Sequence, residues 1–259
     1  MRELIFQIDA FTSKVFSGNP AAVIPLNKWL DDSLLQSIAQ ENNVSETAFF
    51  VPAEKIYHIR WFTPLAEVDL CGHATLAAAF VIFNYLEKKS TEILFSSRSG
   101  DLRVYKDQDL LSMDFPSQPP KPCSMPDDLV EGLGQEPLEI LCSEDYFAVF
   151  STEKDIRSLN PDMERLNRLG LRGVIVTAKG DEADFVSRFF APKFGINEDP
   201  VTGSAHCALI PYWSHTLGKD TLYAQQVSKR SGELYCKDQG DRVIISGKAV
   251  KYMEGTIRI

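Results

Sequence analysis

The sequence predicts an α+β protein of two similar lobes, each a strand-rich sheet folded around one apolar helix. Two observations carry this. The 259-residue chain repeats itself about half a length apart. Arg60-Trp61-Phe62-Thr63-Pro64 returns as Arg188-Phe189-Phe190-Ala191-Pro192, and Cys71-Gly72-His73-Ala74 returns as Thr202-Gly203-Ser204-Ala205. Arg98-Ser99-Gly100-Asp101-Leu102 is echoed by Arg230-Ser231-Gly232-Glu233-Leu234, and Ala22-Val23 upstream by Ala148-Val149. Matches in one order with a slowly drifting offset mark a duplicated unit with small insertions. The second observation is that an apolar stretch follows the glycine of each copy. Residues 74–83 are apolar on every side, as in a helix buried all round, and residues 204–215 repeat the pattern. The lobes are expected at 1–116 and 117–259, with the last strand free to return to the first lobe. The crevice between two such lobes is a natural ligand site.

In chain order, the alternation after Met1 reads as a strand that runs into Gly18-Asn19-Pro20, a tight turn in which proline extends the residue before it. Residues 21–25 form the next strand. Asp31 or Asp32 caps a helix with Leu34, Leu35 and Ile38 on one face. Strands follow at 47–51 and 58–63, then the first buried helix, then strands at 92–97, 101–106 and 110–115. The proline-rich stretch 116–126 is the joint. The second half has a strand near 146–150, a helix near 161–169, and strands at 174–177 and 184–190. Its buried helix, 204–215, ends at Gly218 and carries Pro211, which lacks a backbone donor and should kink it. Strands at 233–236 and 243–246 complete the pass.

Composition removes several classes of function. The balance of 27 basic to 36 acidic residues gives a net charge of −9, against a nucleic-acid partner. No run of residues is long and apolar enough to span a membrane. The N-terminus does not read as a signal peptide, so a cytoplasmic protein is expected. Five scattered cysteines without a C-x-x-C pair fit free thiols, and four histidines without H-x-H or H-E-x-x-H signal no metal.

Candidate chemistry gathers at the two helix starts. Gly72-His73 and Gly203-Ser204 each open a buried helix, where free N–H groups and the helix dipole favour an anion such as a carboxylate. The competing role of each glycine is to permit a tight turn. Glu46, just before an apolar strand, is a proton carrier if partly desolvated and otherwise a solvated acid. The repeat sets Arg172 opposite it, so the acid belongs to one lobe only. Asp199 before Pro200 either bonds its own turn or holds a polar group of a substrate. His73 at a helix start is expected neutral, able to donate or relay a proton. His206, one turn inside its helix, reads as a core residue. Cys71 is a possible reactive thiol, but its counterpart is Thr202 and Cys207 lies inside the helix. A symmetric two-cysteine racemase is therefore broken.

Asp9-Ala10-Phe11 with Phe16-Ser17-Gly18-Asn19-Pro20-Ala21-Ala22-Val23, and Asn43-Val44-Ser45-Glu46-Thr47-Ala48-Phe49, resemble signatures of the phenazine-biosynthesis PhzF-like family. So do Phe62-Thr63-Pro64 with Cys71-Gly72-His73-Ala74-Thr75, and Asp199-Pro200-Val201-Thr202-Gly203-Ser204-Ala205-His206. The resemblance covers essentially the whole chain. It implies the diaminopimelate-epimerase-like fold: two pseudo-symmetric lobes, each a curled mixed sheet around a central buried helix, with the active site in the cleft between them. It also implies a homodimer and a cofactor-independent isomerase, without metal, like the one acting on trans-2,3-dihydro-3-hydroxyanthranilate. Glu46 matches the acid/base of that reaction, and His73, Asp199 and Ser204 the supporting residues, with Gly72 and Gly203 at the helix starts. The expected reaction is a proton shift within a small carboxylate-bearing substrate. An epimerase or racemase of an amino or hydroxy acid, or a ligand-binding member without turnover, are the alternatives.

Overall fold

The computed structural model describes residues 2–259. They divide into two compact units, one running to Asp114 and taking back Ser246–Ile259, the other Phe115–Ile245.

The first unit begins with β1 (Arg2–Ala10) and β2 (Asn19–Pro25), followed by α1 (Asp32–Asn42), β3 (Glu46–Ala53), β4 (Ile56–Phe62) and the short β5 (Glu67–Val68). Next come α2 (Gly72–Val81), a π-helical turn at Ile82–Leu86, β6 (Glu92–Ser97), β7 (Gly100–Asp107) and β8 (Leu110–Pro116). Pairing runs β1/β2 antiparallel, β2/β3 parallel, β3/β4 antiparallel, β4/β6 parallel and β6/β7 antiparallel. The helices cover opposite faces of this mixed sheet. α1 presents Leu35, Ile38 and Ala39 to Ile24, Phe49 and Phe62. α2 packs on β1, β2 and β3 and buries Ala74, Leu76, Ala77, Ala78, Ala79 and Val81 completely. An apolar surface all round suits that position. Asp31 is the N-cap of α1 by backbone position, but its side chain makes no cap bond.

The second unit repeats this programme. It contains β9 (Lys121–Pro122), α3 (Asp127–Leu133), β10 (Glu139–Cys142), β11 (Tyr146–Val149), α4 (Glu153–Ser158) and α5 (Met163–Leu166). Then follow β12 (Val174–Lys179), β13 (Phe185–Ala191), β14 (Ile196–Asp199), α6 (Gly203–Leu217), β15 (Thr221–Gln226), β16 (Gly232–Asp238) and β17 (Arg242–Gly247). β10/β11 antiparallel, β11/β12 parallel, β12/β13 antiparallel, β13/β15 parallel and β15/β16 antiparallel reproduce the order of the first unit. α3, α4 and α5 cover one face through Leu129, Leu133, Ile156 and Leu166. On α6, Trp213 stacks on Phe185 at 5.8 Å and donates from Nε1 to Thr177 Oγ1 at 2.9 Å. The last strand, β18 (Ala249–Arg258), lies antiparallel along the whole of β1 in the first unit.

Two local expectations change. The helix near 161–169 is only the single turn of α5, and α4 supplies another turn, closed by a capping box between Thr152 and Asp155. The first buried helix leaves the α form at Ile82. α6, in contrast, runs on through Pro211 to a left-handed C-cap at Gly218, φ 66°. Pro211 cannot bond the carbonyl of Cys207 four residues back, and the Gln118 N–H takes that carbonyl at 2.9 Å.

Candidate active site

Within the first unit the start of α2 and the start of β3 meet. Asn43, left-handed at φ 47°, ends α1 and turns the chain back, so that Glu46 becomes the first residue of β3, paired with Ala21 of the parallel β2. Its carboxylate faces the first turn of α2, where His73 Nε2 lies 3.0 Å from Glu46 Oε2. Both residues are buried, at 6% exposure for His73 and 9% for Glu46. The contact is short but misaligned, and neither Nε2 nor Oε2 has a satisfactory hydrogen-bond partner. Buried polar atoms are rarely left so, and an orphaned pair is where a ligand or a proton transfer belongs. On the other edge of the ring, Asn19 Nδ2 is 3.2 Å and Cys71 Sγ 3.5 Å from Nδ1. The Asn19 amide donates to Nδ1 when the ring is neutral, which puts the ring proton on Nε2, facing Glu46.

These charges reverse one expectation. Burial works to keep His73 neutral, but Cys71 and the Glu46 carboxylate favour the imidazolium and together hold its pKa well above the ordinary histidine value. The Cys71 contribution requires a thiolate. Burial first, and then the Glu46 charge, push that thiol up, so Glu46 is the influence that persists near neutrality. His73 is therefore drawn towards the charged form, not the neutral form its helix start alone would favour.

Gly72 and His73 open α2 and Gly203 and Ser204 open α6, and neither helix has a side-chain cap. Their first N–H groups are the donors an anion would use. Cys71 and Thr202 hold the same N-cap position. Each carbonyl accepts from the residue four further on: Thr75 Oγ1 bonds Cys71 O at 2.6 Å, and His206 Nδ1 bonds Thr202 O at 2.9 Å. His206 is thus a core residue, fully buried, and burial lowers its pKa to about 4 against the smaller opposing effect of the Thr202 carbonyl.

Within the second unit, Asp199 ends β14 and accepts a short hydrogen bond from the Thr202 hydroxyl. Gln226, fully buried, locks the turn. Its Nε2 donates to Asp199 O at 2.8 Å and its Oε1 accepts from Thr202 N at 2.8 Å. Ser204 Oγ accepts from Arg172 Nη2 at 3.2 Å, and Arg172 is held by the buried Asp145. The structure thus gathers Glu46, Cys71, Gly72 and His73 in one unit and Asp199, Gly203 and Ser204 in the other.

Asn19, Arg172 and Gln226 escaped notice as supporting residues. Asn19 reads as part of a turn, and the contacts of Arg172 and Gln226 span 32 and 24 residues. The strand register also corrects the repeat. Arg60 lies opposite Phe49, and Arg188 opposite Val176. Aligning the two arginines sets Glu46 against Gly173, with Arg172 one residue earlier. A Cβ on Gly173 would stand 2.6 Å from Phe189 Cζ and 2.8 Å from the Phe190 carbonyl, so no acid fits there.

Glu46, Cys71 and His73 offer donor atoms within 4.8 Å of one another, the kind of set a soft divalent ion takes. Cys71 lies against Nδ1 of the ring and Glu46 against Nε2.

The profile of a family described as phenazine biosynthesis-like protein matches residues 8–255. An uncharacterized isomerase of Pseudomonas aeruginosa is 54% identical over the full length of both chains. The crystal structure of a PhzF-family phenazine biosynthesis protein from Enterococcus faecalis superposes with a TM-score of 0.98 at 47% identity, covering 100% of each chain. A hydroxyproline epimerase from Agrobacterium vitis, with trans-4-hydroxy-L-proline bound, covers 99% of this chain and 92% of its own at a TM-score of 0.66 and 9% identity, which shows fold alone. The α+β fold expected from the resemblance, diaminopimelate-epimerase-like, is the fold found.

Proposed function

Because the chain belongs to the phenazine biosynthesis-like PhzC-PhzF family, we propose that it is an isomerase that shifts a proton within a small carboxylate-bearing substrate, without a cofactor, using Glu46 as general acid/base. One observation carries the reading: the buried 3.0 Å contact between Glu46 Oε2 and His73 Nε2, with neither atom otherwise satisfied. A carboxylate beside an imidazole can take a proton from carbon and return it elsewhere, and one acid suffices when both events occur on one face. His73 holds or releases the compensating proton, with Asn19 fixing the ring. The N–H groups at Gly72-His73 and Gly203-Ser204 are proposed to bind the substrate carboxylate, and Asp199 to orient its polar group. A homodimer in the cytoplasm belongs to the same reading, and light scattering tests the assembly.

The test is proton NMR in D₂O with trans-2,3-dihydro-3-hydroxyanthranilate and, in parallel, other small amino and hydroxy acids. Deuterium appearing at a new carbon, lost in Glu46→Gln, is the expected result. Deuterium at the original carbon with inversion would mean an epimerase instead. Full turnover by a folded Glu46→Gln protein would remove Glu46 from its role.

A further inference from the structure

Five cysteines scattered along the sequence show no pair, but the second unit makes one. β9 lies antiparallel on β10 with Lys121 opposite Cys142 and Pro122 opposite Leu141. One residue further, this register sets Cys123 opposite Ile140. Cys123 and Cys142 are therefore diagonal neighbours on one face of the pairing, about 7–8 Å apart at Cα for regular geometry. Cys123 and Ile140 pack against the same core cluster, and both cysteines are only half-buried. The two thiols interact directly: burial first, and then the hydrogen bond and charge of Cys142, push the Cys123 thiol up to about 11.

A disulfide requires Cα atoms about 4.4–6.8 Å apart. Cys123 sits one residue past the end of a two-residue strand, outside the ladder, so a shift of about 1 Å at that end closes the difference. The other three cysteines, Cys71, Cys207 and Cys236, are buried. Burial raises each of their thiols, that of Cys207 to about 12, which withholds the thiolate that oxidants attack.

We propose that Cys123 and Cys142 form an oxidation site at which a peroxide writes a reversible intramolecular disulfide. The Cys142 thiolate attacks one peroxide oxygen, the O–O bond breaks, and hydroxide leaves and takes a proton, giving one water and a Cys142 sulfenic acid. The Cys123 sulfur then attacks the Cys142 sulfur. The S–O bond breaks, and the hydroxide leaves with the Cys123 proton as a second water. Two thiols lose two electrons and two protons, and hydrogen peroxide accepts them. Cys123, held protonated, acts second, where proximity stands in for reactivity.

The site is tested on the full chain with hydrogen peroxide, followed by alkylation and cleavage after glutamate. Glu131, Glu136 and Glu139 all lie between the two cysteines, so only a disulfide keeps their peptides together. The expected product is one cross-linked pair, lighter by two hydrogens, released by dithiothreitol and absent from both Cys123→Ser and Cys142→Ser. Cys236→Ser should keep it. In Cys123→Ser, a sulfenic-acid probe should label Cys142. Recovery of both cysteines in alkylated form after peroxide treatment, or a cross-link that survives Cys123→Ser, would overturn the assignment.

Discussion

At the scale of single residues, the site depends on charges placed where water cannot relieve them. Glu46→Gln keeps the shape of the side chain but removes the proposed base, and kcat should fall by about 10²–10⁴-fold with an unchanged circular dichroism spectrum. The same substitution should lower the pKa of His73, because burial then acts without the carboxylate, and NMR titration of the ring reads this directly. With its folded pKa raised, His73 contributes stability that is complete below the ordinary histidine value and is lost as pH rises through the folded value. His206 acts in the opposite sense. Its folded pKa of about 4 lies below the ordinary 6.5, so the unfolded chain binds the proton first and stability falls as pH drops from about 6.5 towards 4. At about 1.4 kcal/mol per pH unit the loss is of the order of 3 kcal/mol. Thermal melts of His206→Asn should show a flatter dependence over that window than the parent, whatever the absolute cost of the change.

At the scale of elements, the two units share strand order, helix positions and even their ion pairs. Arg60 Nε bonds Glu67 at 2.7 Å in one unit, and Arg188 Nε bonds Glu198 at 2.7 Å in the other. They differ where β3 and β12 begin. Glu46 opens β3, whereas its counterpart Gly173 is closed in by Phe189 and Phe190. Gly173→Ala should destabilise the protein by about 1–3 kcal/mol through overpacking, seen as a lower melting temperature. An acid at that position is thus barred by packing, and Thr202, which holds the N-cap of α6 as Cys71 holds that of α2, supplies no thiolate.

At the scale of the whole molecule, the chain closes on itself. β18 covers β1 from Arg2↔Arg258 to Ala10↔Ala249, and β1 carries the buried Ile5, Phe6 and Ile8. A chain ending at residue 248 would leave β1 as an edge, with its N–H and C=O groups open to other chains. Such a truncation should aggregate on expression, and light scattering at matched concentration would show it. If it stayed monodisperse with the parent's melting temperature, closure by β18 would not be what holds the first unit together.

The sequence by itself determined the duplication, the apolar helices and most strands, because hydrophobic period and glycine turns are local signals and the repeat writes them twice. It also singled out Glu46, Cys71, Gly72, His73, Asp199, Gly203 and Ser204, all of which lie in or beside recurring motifs. Short helices such as α3 and α4 went unread because one or two turns carry too little periodicity. What only the tertiary structure decided is which side chains touch. Asn19 reaches His73 across 54 residues and Arg172 reaches Ser204 across 32, Gly173 has no room for a side chain, and Cys123 meets Cys142 through a two-residue strand. Charge state followed the same rule. Helix position argued for a neutral His73, but a carboxylate at 3.0 Å in a buried site outweighs a helix dipole, which is worth about 0.3–1 kcal/mol in exposed settings.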